Sequence, residues 1–348
     1  AAVEASASTG GQIMPPVMGA TAFLIAEYLG IPYFDLVKAA LIPAVLFYVA
    51  ILMTVDLYAR KHHISGVPED ELPTWKELGK TVYLILPLVY LIISMSVLKM
   101  SVTKSGISSI LMAIVCTMFS AKNRLNKEKI VKIIKGSING AKPVAIACGV
   151  VGIIIGIVMG SGLGFRMSSV LIQVSNGNLA ILLILTMVVS LIMGMGVPTT
   201  AAYLMLALLV VPALKQMNVL PLAAHLFIFY FGIISNVTPP VALAAYAAAG
   251  VARCNPTKTG FFLPFIFVYN PVLLMQGSAL EIIQSLITAL LGIYSLSCAL
   301  EKFAFKWEIS QVERVALFVS AILLVVPGTL TDVVGFLVLA TIFALKLI

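Results

Sequence analysis

Charge is what this chain has least of. Of its 348 residues only 10% are Asp, Glu, Lys or Arg, while 61% are hydrophobic; a water-soluble domain carries about 25% charged residues. Histidine occurs three times and tryptophan twice. There is no HExxH, no GxSxG, no paired Asp and no His cluster. An enzyme would need nucleophiles, metal ligands or acid–base pairs that converge, so catalysis is not expected. A pore would need a ring of charge or a filter-like segment, and neither occurs. The four cysteines (Cys116, Cys148, Cys254 and Cys298) are scattered without metal-ligand or disulfide spacing, and they read as small buried residues.

What the chain does have is long apolar runs, with a mean hydropathy of +1.11. Segments such as LAILLILTMVVSLIM (179–193) offer no polar face at helical spacing, which excludes a soluble helical core and points to membrane-spanning helices. The net charge of +8 is concentrated. Lys122, Arg124, Lys127, Lys129, Lys132, Lys135 and Lys142 fall in one segment between spans, and Arg60 and Lys61 follow another span. This is how cytoplasmic loops look under the positive-inside rule. With no basic domain apart from the membrane, nucleic acid is not an expected partner; the lipid bilayer is. Residues 126–138 alternate Lys with Ile and Val, which fits either an interfacial helix or a solvated loop.

The expected architecture is an all-α polytopic membrane protein. An interrupted apolar stretch covers 12–33, and spans follow over 36–58, 81–98, 106–119 and 143–160. Two arms, 179–193 and 201–214, are joined by the tip GMGVPTT. A second interrupted span covers 220–252. Runs over 261–274, 282–300, 315–326 and 333–345 complete the chain. Residues 1–260 form the expected transport core, with a re-entrant hairpin over about 179–214, and 261–348 a C-terminal transmembrane extension. The opening AAVEASASTGG has neither a start methionine nor a signal-type cleavage pattern, so the natural protein is expected to extend further toward its N-terminus.

Two distant segments resemble each other. Residues 12–26 read QIMPPVMGATAFLIA and residues 236–250 read NVTPPVALAAYAAAG. Each has a side-chain amide, a β-branched residue, any residue, Pro-Pro-Val and a run rich in small residues. Proline removes a backbone donor and clashes with the preceding turn, so a pair opens the helix. In hydrocarbon such a break persists only where it is buried or lines a wet cavity. A plain proline kink is the simpler alternative. Loop charge makes the two segments antiparallel, hence an inverted repeat in which broken helices and a hairpin tip meet near mid-membrane around substrate and ions. In the tip, Gly194 and Gly196 permit unusual backbone angles and Pro198 prevents a continuous helix. Thr199 and Thr200 then open a helix whose N-terminus suits an anionic group. A simple loop cap by Thr199 is the alternative. His62 and His63 read as solvated, His225 as an interface residue rather than a proton carrier, and Glu27 and Asp56 as residues near span ends. The scarcity of mid-span charge favours sodium over protons as a coupling ion.

The stretches STGGQIMPPVMGATAFLIAEYLGIPY (8–33), GMGVPTTAAYLMLALLVVPAL (194–214) and NVTPPVALAAYAAAGVA (236–252) resemble the large membrane subunit of tripartite ATP-independent periplasmic (TRAP) transporters, in particular the fused-permease branch. The likeness covers most of residues 1–275, and the tail from Glu281 resembles the C-terminal extension of the fused proteins. The resemblance implies sodium-coupled import of an organic acid by an elevator-type movement, with no cofactor beyond Na+. It also implies a periplasmic solute-binding protein as partner and a multi-pass location in a bacterial or archaeal inner membrane. Ser8, Thr9, Gly10, Gly11 and Pro15 fall where one sodium site is expected. Gly194, Gly196, Thr199, Thr200, Asn236, Thr238 and Pro239 fall where the second is expected, and their hydroxyls and amide are also candidates for the substrate carboxylate. The family places an earlier hairpin and an N-terminal scaffold before the first broken helix; without them, these 348 residues alone are not expected to transport. A sodium/dicarboxylate or citrate carrier that needs no binding protein is the other transporter reading.

Overall fold

A computed structural model of the chain describes residues 2–16, 18–66, 68, 74, 79, 82–98, 100–118, 125–238, 278–326 and 328–347. The second Pro-Pro pair, its following arm and the run 261–274 lie outside these residues. The described part is almost entirely helical, with one two-stranded β-ribbon.

α1 (Ala2–Gly10) and α2 (Ala20–Leu29) are separated by non-helical backbone. α3 (Tyr33–Lys61) follows, 29 residues long. It begins after Pro32, with Asp35 in its first turn and Arg60 and Lys61 in its last, charges placed to complement the helix dipole. At 1.5 Å per residue it is about 44 Å long, well beyond the ~30 Å of bilayer hydrocarbon. The expected span over 81–98 is shorter than its apolar run: a 3-10 turn (Val82–Ile85) leads into α4 (Leu86–Ser96). α5 (Val102–Met118) packs against α4.

α6 (Lys127–Ser161) is one continuous helix of 35 residues. The basic stretch is therefore helical and runs directly into the next span, which removes the loop reading. α7 (Leu163–Val174) was not expected from hydropathy. Its signal was Met167, Val170, Leu171 and Val174 at helical spacing around Arg166, an amphipathic pattern too short to register as a span.

α8 (Leu179–Gly194) and α9 (Thr199–Leu209) are the hairpin arms. The second arm is not one helix; it breaks at Val210 and resumes as α10 (Val211–Gln216). Pro212 is the cause, since it lacks the N–H that would bond four residues back and its ring crowds that carbonyl. α7 closes over this break: Ser168 Oγ donates to Leu209 O at 3.2 Å, and a Cβ on Gly164 would stand 3.3 Å from Leu208 O. α11 (Pro221–Ile234) is buried along most of its length. The largest core cluster joins α2, α3 and α7 to α11, with Tyr203, Leu206, Phe229 and Ile233 among its buried members.

The C-terminal helices form a second packed unit. α12 (Ala279–Glu301), α13 (Gln311–Val325) and α14 (Thr329–Leu347) pack in sequence, and α12 also packs on α3. α12 and α13 each start with a Ser–Glu capping box, Ser278 with Glu281 and Ser310 with Glu313. The ribbon β1 (Phe303–Ala304) and β2 (Trp307–Glu308) turns the chain between them. Among the described residues α3, α12 and α14 are each long and apolar enough to cross a bilayer. With the shorter apolar helices they make this an all-α, multi-pass membrane protein.

Candidate functional site

The first expected break is present. α1 stops at Gly10, and the chain does not return to helix until Ala20. Between them Pro15 and Pro16 are joined by a cis peptide and Met18 adopts φ +47. The loop folds back on itself through Gly19 N–H to Gln12 O at 3.0 Å. Tyr33 at the start of α3 holds it from outside, its hydroxyl donating to Pro16 O at 2.9 Å. The end of α1 is seated on α3: Tyr48 donates to Ala7 O at 3.0 Å, and a Cβ on Gly10 would fall 2.9 Å from Phe47 Cδ1. Gly10 is therefore glycine because two helices meet there. α2 has ten residues, so it spans about 15 Å, half the hydrocarbon thickness. If its far end lies at the surface, the break lies near mid-membrane.

The hairpin has the same proportions. α8 has 16 residues and α9 has 11, about 24 and 16 Å, and neither is long enough to cross. At the tip Gly194 is buried, and a Cβ there would meet Gly232 O at 3.3 Å and Ser235 Cβ at 2.9 Å. Gly196 adopts φ +71, a conformation glycine takes freely. Pro198 occupies the N-cap of α9, and no side chain caps that end. Thr199 is thus not a loop cap. Its hydroxyl instead donates to Gln12 Oε1 at 2.8 Å, joining the hairpin tip to the first break. Thr200, on the next position, is 8% exposed.

The second repeat segment leaves helix ahead of its Pro-Pro pair. α11 ends at Ile234, and Ser235, Asn236, Val237 and Thr238 form tight turns. Pro239 lies outside the described residues. The tip therefore touches both breaks, Gln12 through Thr199 and Ser235 through Gly194.

The remaining candidates are placed as follows. Ser8 is exposed and donates to Glu4 Oε1 at 3.1 Å. Thr9 is buried and bonds back to Ala5 O at 2.6 Å. Gly11 is exposed and Pro15 half-buried. Thr238 bonds back to Ile234 O at 2.8 Å. Each of these hydroxyls donates along its own chain and keeps an oxygen lone pair for another partner. Gln12 and Ser235 were not among the candidates. The signal for Gln12 was in the repeat, where it occupies the position of Asn236.

His225 does not face lipid or water. It is fully buried, with Nδ1 2.8 Å from the Tyr203 hydroxyl and its ring centroid 5.0 Å from that of Tyr28. Helical phase carries it inward, although it lies only four positions after Pro221. His62 and His63 are exposed, as expected. Two hydroxyls on the inner face of α8, Thr186 and Ser190, are buried with no hydrogen-bond partner among the described residues.

This arrangement can offer neutral oxygens from hydroxyls, amides and opened backbone, and an uncapped helix N-terminus beside them. A comparison with curated proteins found no match. The family model described as "Tripartite ATP-independent periplasmic transporter, DctM component" matches residues 1–282. That range takes in both breaks and the whole hairpin, and the chain belongs to the DctM component family of the tripartite ATP-independent periplasmic transporters.

Proposed function

We propose that this chain is the membrane permease of a sodium-coupled transporter that imports an organic acid delivered by a periplasmic solute-binding protein. The observation that carries the reading is the Thr199–Gln12 hydrogen bond. It brings a hairpin too short to cross the membrane against a helix break, the arrangement from which carriers build midplane sites. A carboxylate would sit at the uncapped N-terminus of α9, where free N–H groups and the dipole favour negative charge. Sodium would take hydroxyl and carbonyl oxygens from the two breaks and the tip. Ser8, Thr9, Gly10, Gly11 and Pro15 would serve one ion; Gly194, Gly196, Thr199, Thr200, Asn236, Thr238 and Pro239 the other. Movement of the core carrying these elements past the rest of the protein, as an elevator, would alternate access. The inner membrane of a bacterium or archaeon is the setting that fits a periplasmic partner.

The test is uptake into proteoliposomes by the full-length natural protein. Transport is expected to need both an inward sodium gradient and the binding protein. Uptake that survives removal of sodium refutes the coupling. Uptake that needs sodium but not the binding protein identifies a carrier of the dicarboxylate or citrate type instead.

A further inference from the structure

α9 presents a mechanical problem. It carries Thr199 to the first break, yet both of its ends are loose: above it is a glycine–proline tip with no side-chain cap, and below it the Pro212 break. Its remaining surface is mostly apolar and closely packed, which resists large displacements. Directional bonds refine its height further. Among the described residues, side-chain hydrogen bonds tie it at three levels: Thr199 to Gln12, Ser168 to Leu209 O, and Tyr203 to His225.

The third bond is unlike its surroundings. Tyr203 is 1% exposed and His225 fully buried, in a helix that otherwise reads PLAAHLFIFYFGII. A leucine or phenylalanine would fill the same space without burying polar atoms, and neutral hydrogen-bonded pairs contribute only modestly to net stability. They do impose geometry. Tyr203 lies one turn along α9 from Thr199, on the same face. His225 belongs to α11, which leads into the second break, and its ring is covered by Tyr28 of α2, which leads out of the first. One imidazole therefore touches the hairpin arm and the half-helices on both sides of the site.

We propose that His225 is a positioning residue: through Tyr203 it sets the height of α9, and so the meeting of Thr199 with Gln12, against both broken helices. This role rests on the transport reading only for its functional consequence. Its geometric content can be tested without transport.

The experiment uses the full-length protein with Cys116, Cys148, Cys254 and Cys298 replaced by alanine, and carries Gln12→Cys with Thr199→Cys. The rate at which a short bifunctional thiol reagent joins the pair reports the height of α9. Tyr203→Phe keeps the ring and its packing, and removes only the hydroxyl. It and His225→Leu are each expected to slow joining about tenfold, the scale of one buried hydrogen bond, and the double variant no further. His225→Asn, which places an amide where Nδ1 stood, restores the rate; His225→Gln, which places it at Nε2, does not. In proteoliposomes the same variants, with Gln12 and Thr199 intact, raise the sodium concentration for half-maximal uptake in the same order. Unchanged joining in Tyr203→Phe and His225→Leu, additive losses, or equal loss in His225→Asn and His225→Leu each overturn the proposal. If joining follows the expected order while the unaltered protein shows no sodium-dependent uptake, the tie stands and the transport reading fails.

Discussion

The hairpin and the C-terminal unit are built from the same materials and use them differently. Both are apolar helices with serine, threonine and glycine on their inner faces. In the C-terminal unit the fully buried hydroxyls among the described residues are engaged across helix contacts: Ser295 to Leu317 O at 2.8 Å, Ser320 to Gly335 O at 2.7 Å, and Ser297 by Thr54 of α3 at 3.2 Å. Gly292 and Gly335 let the backbones approach, and Arg314 and Lys61 close on the carbonyls of Ala299 and Glu301. This is polar glue between helices in lipid, where apolar contact alone gives no preference for protein over tails. In the hairpin the hydroxyls are left partly uncommitted. Thr186 and Ser190 have no partner among the described residues, and Thr199 reaches a side chain on another broken element. Unsatisfied polar groups cost stability when buried. A region that keeps them is organised for something besides packing.

The sharpest way to break this comparison is at glycine. Gly194→Val forces the tip away from Ser235 and Gly232, and is expected to abolish uptake with the protein still folded and membrane-inserted, as judged by monodisperse size exclusion. Gly335→Val, which meets Leu324, is expected to lower the thermal midpoint, overpacking costing about 1–3 kcal/mol, while the protein that remains folded transports normally. Equal behaviour of the two variants would erase the distinction.

Hydroxyl removal gives a smaller contrast. Thr199→Val is expected to reduce uptake about tenfold or more with little change in the unfolding midpoint, and Gln12→Ala added to it should cost little further because the pair acts as a unit. Ser320→Ala should leave uptake intact and cost about 0.6 kcal/mol, the mean for interhelical hydrogen bonds in membranes. The smallest expected effect is at Thr186→Val, which deletes, at constant shape, a hydroxyl without a partner among the described residues. It should be neutral or slightly stabilising by thermal unfolding, and loss of more than about 1 kcal/mol would mean that the hydroxyl has a partner after all.

Much of the scaffold was legible because length and hydropathy are local. The run 36–58 became α3 within three residues at each end, and the tip Gly-Met-Gly-Val-Pro lies where the arms turn. The misses were local signals outweighed by a stronger one. α7 is amphipathic but too short for a hydropathy window, and Pro212 was lost inside an apolar run. The site was legible in its elements but not in its pairings. Gln12 stood in the repeat without being singled out, because nothing in one strand of sequence tells which break a hairpin tip touches. His225 looked peripheral because the rings packed against it, Tyr28 and Tyr203, are supplied by two other helices.

Composition and proline spacing alone determined that the chain is a bundle of membrane helices with an opening at Pro15–Pro16 and a hairpin too short to cross. Those properties follow from backbone hydrogen bonding in hydrocarbon, which each segment must satisfy within itself. Only the tertiary structure decided that Thr199 meets Gln12, that Gly194 leans on Ser235, and that a histidine near the start of a helix lies at the centre of three. Such pairings depend on the height and rotation of one helix against another, and these are set by contacts between residues far apart in the chain.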